Sequence, residues 1–129
     1  MSAPIASEGT LYARLGGYDA IAAVVDDLLG RIVPDPQLAS YFKGMNNARK
    51  GRARQLIVDY LCSAAGGPVL YTGGDMKREH EGLGITGAEW AVFMRHAEAT
   101  LDHQAVATRE RGEVLSFLAS LERDVVEGG

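Results

Sequence analysis

The residues of this 129-residue chain whose types bear on chemistry are three histidines, one cysteine and several glycine pairs. His80 stands between Gly73-Gly74 and Gly82-Leu83-Gly84, one helical turn after Met76. Asp75 is placed to cap a single-turn helix that presents Met76 and His80 on one side. So short a helix has little stability of its own, because the first turn fixes many dihedrals for one hydrogen bond. Something else must hold it, and a metal bond to the imidazole would do so. A neutral imidazole ligates through one nitrogen while a backbone or side-chain acceptor orients the other. A plain loop histidine fits the spacing equally. His96 lies off the Trp90–Met94–Ala97–Leu101 stripe and reads as solvent-facing. His103 falls at a polar helix end, where a cation offsets the terminal carbonyls. Cys62 reads as a small hydrophobe on the buried side of a helix. There is no paired-cysteine motif and no His-Glu-x-x-His, and no strand precedes the glycine pairs, so neither a zinc site nor a phosphate loop is indicated.

The elements that must position these groups are helical. From Tyr18 to Val33, apolar residues Ile21, Val24, Val25, Leu28, Leu29 and Ile32 recur at helical spacing, after a short opening helix over 10–15. Pro34 stops that helix, and Asp35-Pro36 opens a short one carrying Leu38, Tyr41 and Phe42. The next helix is expected from Arg49 to Ala65, with Ala53, Leu56, Ile57, Tyr60, Leu61 and Ala64 as one apolar face. Gly66-Gly67-Pro68 breaks it. Thr86 and Glu89 form a capping box for a helix bearing Trp90, Phe93, Met94, Ala97 and Leu101. A last helix from Thr108 buries Val114, Phe117, Leu118, Leu121 and Val125. No strand-period segment competes, and the fold class is all-α.

Composition bounds the rest. Hydrophobic residues at 47% and charged residues at 23% are ordinary for one soluble globular domain, expected over 1–129 with residues 1–9 as a flexible tail. No apolar run approaches the roughly 20 residues of a membrane span, and no secretory signal is visible. A lone cysteine excludes an internal disulfide and suits the cytoplasm. A net charge of −4 argues against a nucleic-acid partner.

Several strings then resemble one known family in this order and at these distances. Leu11-Tyr12-Ala13-Arg14-Leu15-Gly16-Gly17 is similar to the opening of group I truncated haemoglobins. Gly66-Gly67-Pro68 with Tyr71-Thr72-Gly73 resembles the loop before their proximal helix. Asp75 to Thr86 resembles their proximal histidine segment, and Tyr41-Phe42 the site where a phenylalanine meets the haem. The match runs from about Thr10 to Val126. It implies a two-over-two helical sandwich holding haem b, iron protoporphyrin IX, with His80 as iron ligand. Phe42, Met45, Ala53, Ile57 and Leu61 would lie on the distal side or its edge, and Met76, Leu83, Ile85, Trp90 and Phe93 would pack the proximal side. Tyr71 and one or more of Arg49, Lys50, Arg52 and Arg54, with Arg52 the chosen representative, would meet the propionates.

The sequence departs from the family where oxygen-holding members carry a distal tyrosine and glutamine. Those positions fall on Leu29, preceded by Leu28, and on Ile57. Gln55 is two residues away and points about 200° around the helix from Ile57. The distal pocket of Leu28, Leu29 and Ile57 is therefore expected to be apolar. A distal donor contributes about 1.5–3 kcal/mol to a polar ligand, roughly 10- to 150-fold in off-rate. Without one, carbon monoxide should bind well, oxygen should leave quickly and the iron should oxidise readily. No histidine lies on the second or fifth helix, so a five-coordinate or water-ligated iron is expected, with Met45 and Tyr41 as remote sixth ligands.

Two functional classes are compatible with this reading. One is a reversible binder of oxygen, carbon monoxide and nitric oxide, acting as carrier, store or gas-responsive module and existing as a monomer or weak homodimer. The other is a nitric oxide dioxygenase or peroxidase-like enzyme working with a reductase. The enzyme needs a stabilised oxygen complex, and the missing tyrosine and glutamine weigh against it. A helical interaction module without haem is the third, and it would give a colourless protein.

Overall fold

The computed structural model describes residues 9–128; the expected tail, apart from residue 9, lies outside them. The helices are α1 (Leu11–Leu15), α2 (Tyr18–Ile32), α3 (Asn47–Ala64), α4 (Met76–His80), α5 (Gly87–His103), α6 (Thr108–Ser120) and α7 (Glu122–Val125), with a 3-10 turn at Ala39–Tyr41. Among the described residues no strand forms, as the periodicity implied. The pair α2 and α3 packs on the pair α5 and α6, giving the two-over-two sandwich.

Helices α1, α3, α4 and α5 begin where a side chain satisfies a free amide, whereas α2, α6 and α7 have no side-chain cap. Thr10 accepts from the Ala13 amide at 3.1 Å and opens α1. The Thr86–Glu89 box closes in both directions at 3.0 and 3.1 Å. Helix α3 starts two residues before the Arg49 expected for it, because the Asn46 side chain accepts from the Arg49 amide at 2.8 Å. The Asp35-Pro36 segment yields only the 3-10 turn: the Asp35 carboxylate takes the Gln37 amide and is otherwise engaged with α5.

The buried face of α3 also differs from expectation. Val58 and Cys62 are fully buried against Ile21, Ala22 and Val25 of α2, whereas Ala64 is exposed and Ala53, Leu56, Ile57, Tyr60 and Leu61 are half-buried. Valine and cysteine are compact enough to let the two helices approach, and 58 and 62 are one turn apart on a single stripe. The α6 stripe is likewise interrupted, since the helix ends before Leu121 and only Leu118 and Val125 of the expected set are buried. Helix α1 lies on the end of α3 through Tyr12, whose amide donates to the Ala65 carbonyl at 2.9 Å. A Cβ on Gly67 would come within 2.4 Å of the Tyr12 ring, so this glycine is required for space.

Polar ties lock the layers. Asp27 on α2 accepts from Arg31, His103 and Gln104 at 2.5–2.9 Å. Burial works against its ionisation, yet the bonds from Gln104, His103 and Arg31 hold its carboxyl well below the usual range. His103 is indeed at the helix end, but its partner there is this carboxylate. His96 overturns the solvent-facing expectation: it is half-buried, with Nε2 at 2.6 Å from Asp35. The buried face of α5 also differs from the expected stripe: Val92 and Thr100 are buried with Trp90, Ala97 and Leu101, whereas Phe93 and Met94 are half-buried.

Candidate functional site

Helix α4 has five residues and buries none of them. Its start is fixed by Asp75, which accepts from the Arg78 amide at 2.8 Å. At its end the His80 ring is half-buried, and Nδ1 lies 2.8 Å from the Met76 carbonyl. A carbonyl only accepts, so the proton sits on Nδ1. In neutral imidazole this leaves Nε2 with a lone pair, and among the described residues no hydrogen bond reaches it. This is the arrangement of a metal-ligating histidine whose second nitrogen is oriented by the backbone.

The large apolar residues expected around this imidazole are incompletely covered. Phe42, Leu61, Phe93 and Leu29 pack against the core cluster around Leu28, Ile32 and Val92, yet all four remain half-buried. Ile57, Met45, Met76 and Ile85 are also half-buried, and Leu83 is 48% exposed. These large apolar side chains therefore keep part of their surface open rather than closing into the core. Trp90 is buried, with its ring 5.1 Å from that of Phe93. An imidazole oriented through Nδ1 with Nε2 unspent is the donor that a haem iron would need.

The other sequence-designated groups divide. Leu28 is buried and Leu29 half-buried, so both remain apolar neighbours of the core. Gln55 is exposed and spent on Tyr18 and Asp59 at 2.7 and 2.9 Å, away from Ile57. Tyr41 is no sixth ligand, because its hydroxyl donates to Glu89 at 2.5 Å. That bond pushes its phenol up to about 12. Of the propionate candidates, Arg54 is committed to Asp26 at 2.8 Å, while Arg49, Lys50 and Arg52 are exposed. The Tyr71 hydroxyl donates to the Gly74 carbonyl at 2.5 Å, and its ring meets Tyr60 edge-on at 5.1 Å. Tyr71 thus braces the loop ahead of α4 by a bond internal to that loop. Cys62 is fully buried, which pushes its thiol up and leaves it a packing residue.

Two long-range roles escaped the sequence reading. Glu89 serves both its own capping box and Tyr41, 48 residues away. Glu127 accepts from the amides of Gly82 and Gly84, just beyond His80. Their partners are dozens of residues distant, and no local pattern marks them. A void of about 170 Å³ lies apart from His80, lined among others by Leu15, Ile21, Val24, Leu101 and Phe117. Among the described residues no group of three or more metal-ligating side chains occurs, and no helix is long and apolar enough to cross a membrane.

Comparison with known proteins agrees with this geometry. The model of the bacterial-like globin family matches residues 10–127. The chain is 33% identical to the Group 1 truncated hemoglobin GlbN of Mycolicibacterium paratuberculosis, over 95% of this chain and 88% of that protein. Its fold is similar to that of the truncated hemoglobin of Tetrahymena pyriformis in the Fe(III) form, with TM-score 0.81 and 24% identity over 91% of this chain and 97% of that one. It also resembles the 2/2 hemoglobin of Synechococcus sp., solved in the cyanomet state with covalently attached heme, with TM-score 0.82 and 23% identity over 92% and 98%.

Proposed function

We propose, because the chain belongs to the bacterial-like globin family as a group I truncated haemoglobin, that it is a haem protein reversibly binding diatomic ligands through His80. His80 would hold haem b, which when bound would supply an iron able to take up oxygen, carbon monoxide or nitric oxide. The observation that carries this reading is the His80 ring: Nδ1–H is spent on the Met76 carbonyl and Nε2 is left over. The orienting bond fixes the tautomer and raises the basicity of the ligating nitrogen.

The distal residues set the ligand preference. Leu28, Leu29 and Ile57 carry no donor, and Gln55 is bonded elsewhere. They exclude water without stabilising a polar ligand, which favours carbon monoxide and quick release of oxygen. This suits a carrier, store or gas-responsive role. Nitric oxide dioxygenation with a reductase would need a distal donor, and none of these residues supplies it. Arg49, Lys50 and Arg52 remain available for the propionates, with Arg52 our first choice, while Arg54 and Tyr71 are occupied.

The test is an absorption spectrum of hemin-loaded wild type and His80→Ala in ferric, ferrous and carbonyl forms. A Soret band with histidine-ligated character in the wild type, lost in the variant, is the expected result. A protein that stays pale with hemin, or a variant with unchanged axial ligation, overturns the reading. Nitrate formed per haem on adding nitric oxide with a reductant should stay low; sustained turnover would favour the enzyme.

A further inference from the structure

From two to six residues after His80, the chain is gripped by a segment more than forty positions away. The Glu127 carboxylate places one oxygen 2.9 Å from the Gly82 amide and the other 2.8 Å from the Gly84 amide. The Glu127 and Gly128 amides in turn donate to the Ile85 carbonyl at 2.8 and 3.1 Å, and Gly128 forms a bridge with Thr86. Val125, just before, is 5% exposed and anchors the segment in the core. The loop 81–86 is thus bound along its length.

The two glycines are there for this grip. Gly82 and Gly84 adopt φ of +84° and +69°, and a Cβ on either would meet nothing within 4 Å. Space is not the constraint; conformation is. Left-handed residues at alternate positions turn both amides to the same side, where one carboxylate bridges them. The bonds are charge-assisted and hold Glu127 below the usual carboxylate range.

Helix α4 buries no residue and is too short to hold its own end. His80 is its last residue, and the Leu83 amide donates back to the His80 carbonyl at 3.2 Å, so the gripped loop is continuous with the ring's backbone. We propose that Glu127 is a positioning residue for His80, fixing through the Gly82 and Gly84 amides the backbone from which the imidazole meets the haem. This rests on the haem reading above, and on no contact between Glu127 and the haem.

The test compares wild type with Glu127→Gln and Glu127→Asp. In the hemin-free proteins, amide exchange at Gly82 and Gly84 reads the grip alone, and it should quicken about 10-fold in Glu127→Gln. In the hemin-loaded proteins, loss to apomyoglobin should also quicken about 10-fold, and the iron–histidine stretching band of the ferrous form should shift or broaden. Glu127→Asp keeps the charge with a shorter reach and should fall between. Faster exchange with an unchanged band and unchanged hemin loss overturns the positioning role. A wild type without any His80 band overturns the haem reading as well, so the two failures are told apart.

Discussion

The contact between α2 and α3 and the segment around His80 are built on opposite plans. In the first, Val25, Val58 and Cys62 are fully buried, and the polar ties Arg54–Asp26 and Gln55–Tyr18 sit at its exposed edge. In the second, a five-residue helix buries nothing and is held at its rims, by Asp75 on one side and the Glu127 grip on the other. One region is complete in itself. The other is a short frame that depends on hydrogen bonds from outside itself. Substitutions in one region should therefore leave the other intact.

The largest effect is expected at the frame. His80→Ala should abolish histidine ligation of hemin outright, yet change apo-protein stability by no more than about 0.5 kcal/mol, since the ring anchors no core. Urea unfolding beside the Soret spectrum checks both halves. If apo-stability collapses instead, the contrast between the regions is lost. Next is the distal wall: Leu29→Tyr supplies the absent donor and should slow oxygen release about 10- to 150-fold by stopped-flow, with carbon monoxide changing less. An unaltered oxygen rate would mean that Leu29 does not face the ligand.

The converse change belongs to the closed region. Val58→Ala should cost about 2 kcal/mol of stability and leave the spectrum of the loaded protein unchanged. The smallest effect concerns Asp35, whose carboxyl is held below the usual range by His96 and then by the Gln37 amide. A lowered folded value means the contribution is present above the ordinary carboxylate pKa of about 4 and is lost as pH falls towards the folded one. Asp35→Asn should therefore lower Tm by less than about 4 °C at pH 7, with the gap to wild type closing below about pH 4. A gap that persists in acid would show that the charge is not what matters.

Much of this was legible beforehand, for reasons that differ by residue. The α2 stripe and the Thr86–Glu89 box are short-range patterns, and both formed as read. His80 was marked by its place on a helix too short to stand alone, although the choice between ligand and loop histidine needed the family resemblance. His96 was misread because its partner, Asp35, lies 61 residues earlier. The α3 face was misjudged at Val58 and Ala64, since which of two adjacent apolar stripes goes deepest depends on how closely α2 can approach.

What the chain dictated by itself were most of the helices, their stops and the capping residues that start several of them. Each follows from the residue types within a turn or two of each other. Only the folded molecule decided that Glu127 would grip the loop after His80, that Asp27 would gather Arg31, His103 and Gln104, and that Tyr41 would be spent on Glu89. Those partners meet only when separate helices pack, because a hydrogen bond needs its two atoms within about 3 Å and adjacency in the chain does not supply that.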